Sequence, residues 1–313
     1  MTDAVVRQSG ADEVTVLAPA KINLFLEVIG RRPDGFHELA SLMQKLPLCD
    51  VLHVRRQQGG VSLSCPDSDL PEDGSNLVYQ AAERFLSRFV PTGAGVTLRL
   101  EKHIPIAAGL GGGSSDAAAA LLALRHVFSP ALPDAPLLEL ARGLGADVAF
   151  FVAPYEAAWA TGRGDILAEA RPLRGYGVVL VNPGFSVATR WVYESFSLTE
   201  KGCSNKVLNF VYDSVGGENP YARQAISPAA LRNDLEPVTA GLHAEIGLMR
   251  QALLDCGAEA VLMSGSGPTV FGLFRDNRQV DDCRERLARR FRTVIALPSG
   301  GGTEKMGWGV VKR

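Results

Sequence analysis

The sequence predicts an α+β protein of two domains, and three observations lead there. First, 313 residues are enough for two separate cores. Second, the stretch Pro105–Leu124, PIAAGLGGGSSDAAAALLAL, runs from a glycine loop straight into strong helix formers, with a strand-like segment feeding it. Third, the second half reads β-α-β-β-α-β, the split βαβ of a ferredoxin-like layer. The boundary is expected between about Ala168 and Gly177, giving domains of residues 1–172 and 173–313.

In chain order, Val14–Leu17 and Ile22–Ile29 read as two short strands, with Pro19 and Lys21 between them. Arg31 to Gly35 forms a turn that presents Phe36 and His37. Strand-like runs recur at Leu42–Leu46, Val51–Arg55 and Val61–Cys65. Val78, Ala82, Phe85 and Phe89 step by four, three and four, which marks an amphipathic helix. Val96, Leu98 and Leu100 alternate with polar residues as a half-buried strand leading into the glycine loop. A short helix spans Pro136 to Arg142 and stops at Gly143 and Gly145, and Asp147 then opens the apolar run Val148–Val152.

Beyond a turn at Gly162–Asp165, Val178–Val181 is a strand, and Thr189 caps a helix over Val192 and Phe196. Residues 199 to 227 hold no steady period and read as an irregular insertion. Leu242, Ile246, Met249 and Leu253 form one helix face closed by Gly257. Ala260–Met263 and Val270–Phe274 are strands around a Gly-Ser-Gly-Pro turn. A helix over Val280, Cys283, Leu287 and Phe291 follows, and Thr293–Leu297 is a last strand. Gly300 to Gly302 begins a tail expected to be mobile.

The glycine loop carries the chemistry. Gly109, Gly111, Gly112 and Gly113 let the backbone approach a ligand, and Ser114, Ser115 and Asp116 are expected to cap the helix that follows. Free N–H groups and the positive end of a helix dipole then converge on one point, which is an anion site suited to phosphate. It is not a Walker A loop, because no Gly-Lys pair occurs, and the spacing also fails G-x-G-x-x-G. A small-residue helix packed on a sheet is the plainer alternative, but four glycines before two serines exceed what packing requires.

Bulk properties exclude several classes. Hydrophobic and charged contents of 46% and 21% are those of an ordinary globular protein. A net charge of −2 argues against nucleic acid or a membrane surface as partner. Cys49, Cys65, Cys203, Cys256 and Cys283 are odd in number and form no C-x-x-C, so neither a disulfide framework nor a metal site is expected. The N-terminus has no basic region followed by an apolar core, which points to the cytoplasm.

For proton handling, Asp147 in Gly-Ala-Asp adjoins low-dielectric surroundings, although an aspartate there is more often a helix cap. Lys21 enters an apolar strand; taken alone, such a lysine more often snorkels from a strand end.

The pattern P-x-x-x-G-L-G-x-x-S-S-x-A resembles the nucleotide loop of the GHMP small-molecule kinases. The segments APAKINLFLEVIGRRPDGFHEL, IPIAAGLGGGSSDAAAALL, GADVAFFV and LMSGSGPTVFGLF are similar, in order, to motifs of the branch whose acceptor is a cytidine-diphosphate-linked polyol.

That resemblance implies a two-domain GHMP fold with an N-terminal α/β sandwich. It implies ATP and Mg²⁺ as cofactors and phosphorylation of the 2-hydroxyl of a cytidine-diphosphate-linked methylerythritol. Homoserine- or mevalonate-type acceptors are the alternative. Lys21 and Asp147 become the catalytic pair. The nucleotide loop falls on Pro105-Ile106-Ala107-Ala108-Gly109-Leu110-Gly111-Gly112-Gly113-Ser114-Ser115, with Asn76 and Lys102 toward the adenine. On the acceptor side stand Asn23, Phe36, His37 and Tyr193, with Ser266 and Gly267 of the turn that closes over the phosphates. Phe36 stands where the family usually has tyrosine; stacking on cytosine survives and any phenol hydrogen bond is lost. For Tyr193, packing with Phe196 is the alternative. Oligomeric state is left open.

Overall fold

Two long strands dominate the first third of the chain. In the computed structural model, which describes residues 6–10, 12–196, 226–299 and 311–312, β2 runs unbroken over Glu13–Arg31 and β3 over His37–Gln58. The expected breaks at Pro19 and within Leu46–Val51 are therefore absent. Both prolines lie off the ladders that β1, β5 and β6 make with these strands. The short strand β1, Val6–Ser9, pairs with β2 only at Val14–Val16, so Pro19 lies beyond its ladder. Pro47 falls between residues 39–44 and 51–58 of β3, which pair with different strands. A proline is tolerated where no ladder hydrogen bond is asked of its nitrogen.

The chain divides into two compact units that do not follow chain order. One comprises Met1–Ala20, Leu48–Ile106 and Gly111–Tyr155. In it the last part of β3 pairs antiparallel with β5, Ala94–Glu101, and β4, Gly60–Ser64, lies parallel to β5. The parallel pair is joined by helix α1, Leu77–Phe89, the crossover that such a pair requires. Asn76 caps α1, its side-chain oxygen accepting the Val78 N–H.

Helix α2, Gly112–Phe128, is buried along Ser115–Leu124, which explains its run of four alanines: a helix covered on all sides needs small residues for close approach. Helices α3, Asp134–Leu144, and α4, Ala146–Val152, complete this unit, with Val148–Val152 buried.

The other unit comprises Lys21–Pro47, Ala107–Leu110 and Glu156–Arg313. Here β3 pairs with β6, Ala157–Gly162, which turns back into β7, Ile166–Ala170. A second sheet forms from β8, Gly177–Asn182, β10, Ala260–Met263, β11, Val270–Phe274, β12, Thr293–Leu297, and β13, Val311–Lys312. Its order is β10-β11-β8-β12-β13, every pair antiparallel, as a split βαβ arranges its strands. The short β9, Arg232–Asn233, lies parallel to β2 at Phe25 and Leu26.

Helices α5, Thr189–Ser195, α6, Glu236–Leu242, α7, Ala244–Asp255, and α8, Asn277–Ala288, accompany this unit. Ile246, Met249 and Leu253 of α7 join Val179, Val181, Phe274, Val280 and Leu287 in its core. Leu242 does not: it ends α6 and is 59% exposed, because the backbone leaves helical geometry at His243. Phe291 lies beyond α8 rather than on it, yet still packs against the core. Most of the expected insertion at 199–227, and the tail at Gly300–Gly302, fall outside the described residues.

Candidate active site

The glycine loop is built by alternating backbone handedness. Ala107, Gly109 and Gly111 have φ of +51°, +78° and +72°, with intervening residues at negative φ. This alternation turns neighbouring N–H groups to the same side, the geometry of an anion-binding nest. Holding Ala107 there costs about 1–2 kcal/mol, a strain that marks a shaped loop rather than a relaxed one.

Helix α2 starts as soon as Gly111 has turned the chain, with no side-chain cap. The expected capping role of Ser114, Ser115 and Asp116 is therefore wrong. Ser115 and Asp116 are each 1% exposed, already inside the helix. The first N–H groups of α2 receive no side-chain cap, and a Cβ on Gly113 would find nothing within 4 Å.

The loop apex, Ala107–Leu110, is fastened within the second unit. Leu110 O accepts the Lys21 N–H at 2.9 Å and Ala108 O accepts the Thr269 N–H at 3.3 Å. Gly109 O accepts from Ser264 Oγ at 2.9 Å. A Cβ on Gly109 would lie 2.2 Å from Ser264 O, so the Ser264–Pro268 turn and the loop touch backbone to backbone.

The same place holds Lys21 and Asn23. Lys21, 5% exposed, donates from Nζ to Asn23 Oδ1 at 2.6 Å. Asn23 Nδ2 donates to Ser41 Oγ at 2.8 Å, and Ser41 Oγ to Phe25 O at 2.8 Å. This buried relay fixes the orientation of the ammonium. A Cβ on Gly265 would stand 3.3 Å from Asn23 Oδ1 and 3.5 Å from Lys21 Nζ, so the turn lies against both. Lys21, Asn23, the loop apex and the Ser264–Gly267 turn are thus brought together.

Ser266 and Gly267 are held from behind. Ser266 Oγ lies 2.9 Å from Thr189 Oγ1, and Ser266 O accepts from Thr239 Oγ1 at 3.1 Å. Thr189 was expected as the cap of α5; Ala188 takes that place and the hydroxyl serves the turn instead. Asn233, to which no motif pointed, donates from Nδ2 to Met263 O and Gly265 O, both at 2.7 Å. Its signal was the Asn-Asp pair before Leu235, since Asn233 Oδ1 also accepts the Leu235 N–H at 3.0 Å.

Phe36 sits on a turn where Asp34 Oδ1 accepts its N–H at 3.1 Å, and it is 55% exposed. Arg163, a residue no motif pointed to, covers one face of its ring at 5.2 Å and pairs with Asp165 at 3.2 Å. His37 and Tyr193 stack at 5.3 Å with 30° between planes. Burial and the Arg31 charge hold His37 below the usual histidine range, which keeps its ring neutral at pH 7.

In the first unit Asp147 is half-buried in the first turn of α4. Both polar atoms of the Asn76 side chain are engaged, Nδ2 with Pro71 O at 2.8 Å and Oδ1 with Val78. Lys102 is 9% exposed, its ammonium between Asp50 and Asp116, with 2.7 Å to the latter. Asn76 and Lys102 keep their side chains for the protein interior.

Comparison with known proteins identifies the family to which this fold belongs. Residues 76–154 match the GHMP kinases N terminal domain and residues 222–293 the GHMP kinases C terminal. The 4-diphosphocytidyl-2-C-methyl-D-erythritol kinase of Syntrophus aciditrophicus (strain SB) is 41% identical over 283 residues, 90% of this chain and 95% of that protein. A crystal structure of a 4-(cytidine 5'-diphospho)-2C-methyl-D-erythritol kinase matches at 37% identity with a TM-score of 0.73, over 92% of this chain and 100% of that one. The homoserine kinase of Cytophaga hutchinsonii ATCC 33406, at 19% identity and a TM-score of 0.67, shares the fold alone. The fold and the two matching family models define a phosphotransferase of the GHMP kinase class. Within that class the chain belongs to the 4-diphosphocytidyl-2-C-methyl-D-erythritol kinase family.

Proposed function

We propose that the chain transfers the γ-phosphoryl group of ATP to the 2-hydroxyl of 4-diphosphocytidyl-2-C-methyl-D-erythritol, in the non-mevalonate route to isoprenoid precursors. The observation that carries this is the 41% identity spread over 95% of a relative of that name. The cradle geometry supports it: three left-handed residues, open helix N–H groups and space at Gly113 suit a polyphosphate.

Phosphoryl transfer asks mainly for positioning and charge stabilisation. In this reading Lys21, oriented by Asn23 and Ser41, stabilises the charge on the transferred group. Asp147 orients the acceptor hydroxyl and takes its proton. The Ser264–Gly267 turn, braced by Thr189, Asn233 and Thr239, holds the loop to its shape.

Phe36 stacks on the cytosine with its open face while Arg163 holds the other, and neutral His37 reads the edge of the base. Tyr193, stacked on His37, is the second aromatic proposed for the base. Pro105 to Ser115 contact the nucleotide, with Asn76 and Lys102 contributing through their backbone, since their side chains are engaged.

Among the described residues no group of three His, Cys, Asp or Glu could hold a metal. Mg²⁺ suits the site as an ion carried by the polyphosphate, which keeps most of its waters and neutralises phosphate charge. No helix among the described residues is long and apolar enough to cross a membrane. We assign the activity to the cytoplasm, on a small-molecule acceptor.

The test is ATP turnover with a panel of alcohols carrying or lacking the cytidine diphosphate. The reading requires the linked alcohol to be much the better substrate. Equal turnover of free methylerythritol phosphate removes the base pocket and leaves a GHMP kinase of another acceptor.

A further inference from the structure

Helix α2 carries a buried carboxylate that none of the proposed roles uses. Asp116 is 1% exposed, and its Oδ2 accepts from Lys102 Nζ at 2.7 Å. Lys102 Nζ also donates to Asp50, which is fully buried. The other oxygen of Asp50 accepts the N–H groups of His103 and Ile104 at 2.5 and 2.8 Å. One chain of contacts therefore joins the segment entering the glycine loop, at His103–Ile104, to the helix leaving it, at Asp116. Gly112 packs against the same spot: its Cβ would stand 3.3 Å from Lys102 Nζ and 3.2 Å from Ile104 Cγ2.

Two carboxylates share one ammonium here. Buried ion clusters contribute little net stability and are retained where they fix a geometry. Asp116 Oδ1 has no hydrogen-bond partner among the described residues, nor does Ser115 Oγ beside it. Burial, reinforced by the Asp50 charge, pushes the Asp116 carboxyl well above the usual range, while Lys102 opposes this. A folded chain that carries such a group for stability alone would do better with a leucine.

We propose that Asp50, Lys102 and Asp116 form a relay that sets the separation of the two ends of the phosphate loop, which makes Asp116 and Lys102 positioning residues for ATP. The inference rests on the reading of that loop as the ATP cradle. The left-handed residues Ala107, Gly109 and Gly111 lie between the tied ends. Their N–H groups meet a phosphate only if those ends are held, because a donor moved by about 1 Å leaves hydrogen-bond range.

Asp116 discriminates cleanly, since it is buried within the helix and its side chain cannot be the ligand contact itself. Asp116→Ala leaves Lys102 and Asp50 as a neutral pair in a good helix former, so the fold survives. We expect its KM for ATP to rise about tenfold or more, the worth of one charge-assisted hydrogen bond to phosphate. KM for the acceptor stays within twofold and the melting temperature does not fall. Asp116→Asn, which still accepts from Lys102, restores most of the loss.

Lys102→Met should match the Ala variant. If it alone raises KM for ATP while Asp116→Ala leaves it within twofold, Lys102 touches the nucleotide directly and the relay is refuted. Both Michaelis constants moving together, or Asn failing to restore, refutes it as well. Titration of the unsubstituted protein with ATP separates the two levels: no ATP binding there overturns the loop reading, whereas normal binding with an unaffected Asp116→Ala overturns only the relay.

Discussion

Gly113 separates a packing glycine from a binding glycine. It is the second residue of α2, its φ is in the ordinary range, and nothing lies within 4 Å of where a Cβ would be. Replacing it with alanine should therefore help the fold. A helical Gly→Ala change at a compatible site stabilises by about 0.4–1 kcal/mol, or roughly 1–3 °C in melting temperature for a chain of this size.

Nucleotide binding should move the other way. In the proposed reading the methyl group takes up open space at the start of α2 that the polyphosphate would occupy. Loss of one charge-assisted hydrogen bond costs about 1.5–3 kcal/mol, a rise of roughly 10- to 150-fold in the dissociation constant for ATP. Calorimetric titration with ATP and a thermal melt on the same preparation read the two effects together. A variant that melts higher and binds ATP as before would falsify the placement of the phosphates at this helix. Gly109→Ala is the control: its Cβ would lie 2.2 Å from Ser264 O at φ +78°, so it should melt lower even without nucleotide.

Three further outcomes are expected. Asp147→Asn should lower kcat by about two to four orders of magnitude with ATP binding little changed, the range for a positioned acid–base group, and near-normal turnover would remove it from the mechanism. Phe36→Ala should cut kcat/KM for the cytidine-linked alcohol roughly 5- to 150-fold, from about 1–3 kcal/mol of stacking, while KM for ATP holds; parallel loss with both substrates would count against the base pocket. Lys45, whose ammonium burial pulls down from 10.5 to about 8, is charged in the unfolded chain and neutral in the folded one between those pH values. The unfolded state binds more protons there, so this residue makes the protein more stable as pH rises from about 8 to 10.5, by about 3 kcal/mol in all. Denaturant melts of the unsubstituted chain and of Lys45→Met should converge across that window, and parallel pH profiles would refute the assignment.

The sequence determined whatever depends on neighbours along the chain. A glycine loop opening into an alanine-rich helix is legible because backbone freedom and helix propensity are local. For the same reason the β-α-β-β-α-β order of the second half was readable, and strands β10, β11 and β12 have the bounds expected of their apolar runs.

Tertiary structure decided what depends on distant partners. β2 and β3 run through Pro19 and Pro47, the first beyond the β1 ladder and the second between the β6 and β5 ladders, and no window of sequence contains those partners. Helix α2 begins before its serines because Gly111 turns the chain, and this sends Asp116 inward to Lys102. Thr189 and Asn233 brace the Ser264–Gly267 turn from positions 77 and 32 residues away from their partners. Arg163 reaches Phe36 only because β6 turns back into β7 beside β3. Local propensity extends over a few residues, whereas hydrogen bonds and ring contacts are satisfied by whatever the fold brings within reach, so the glycine loop and its helix could be read from the chain and their supports could not.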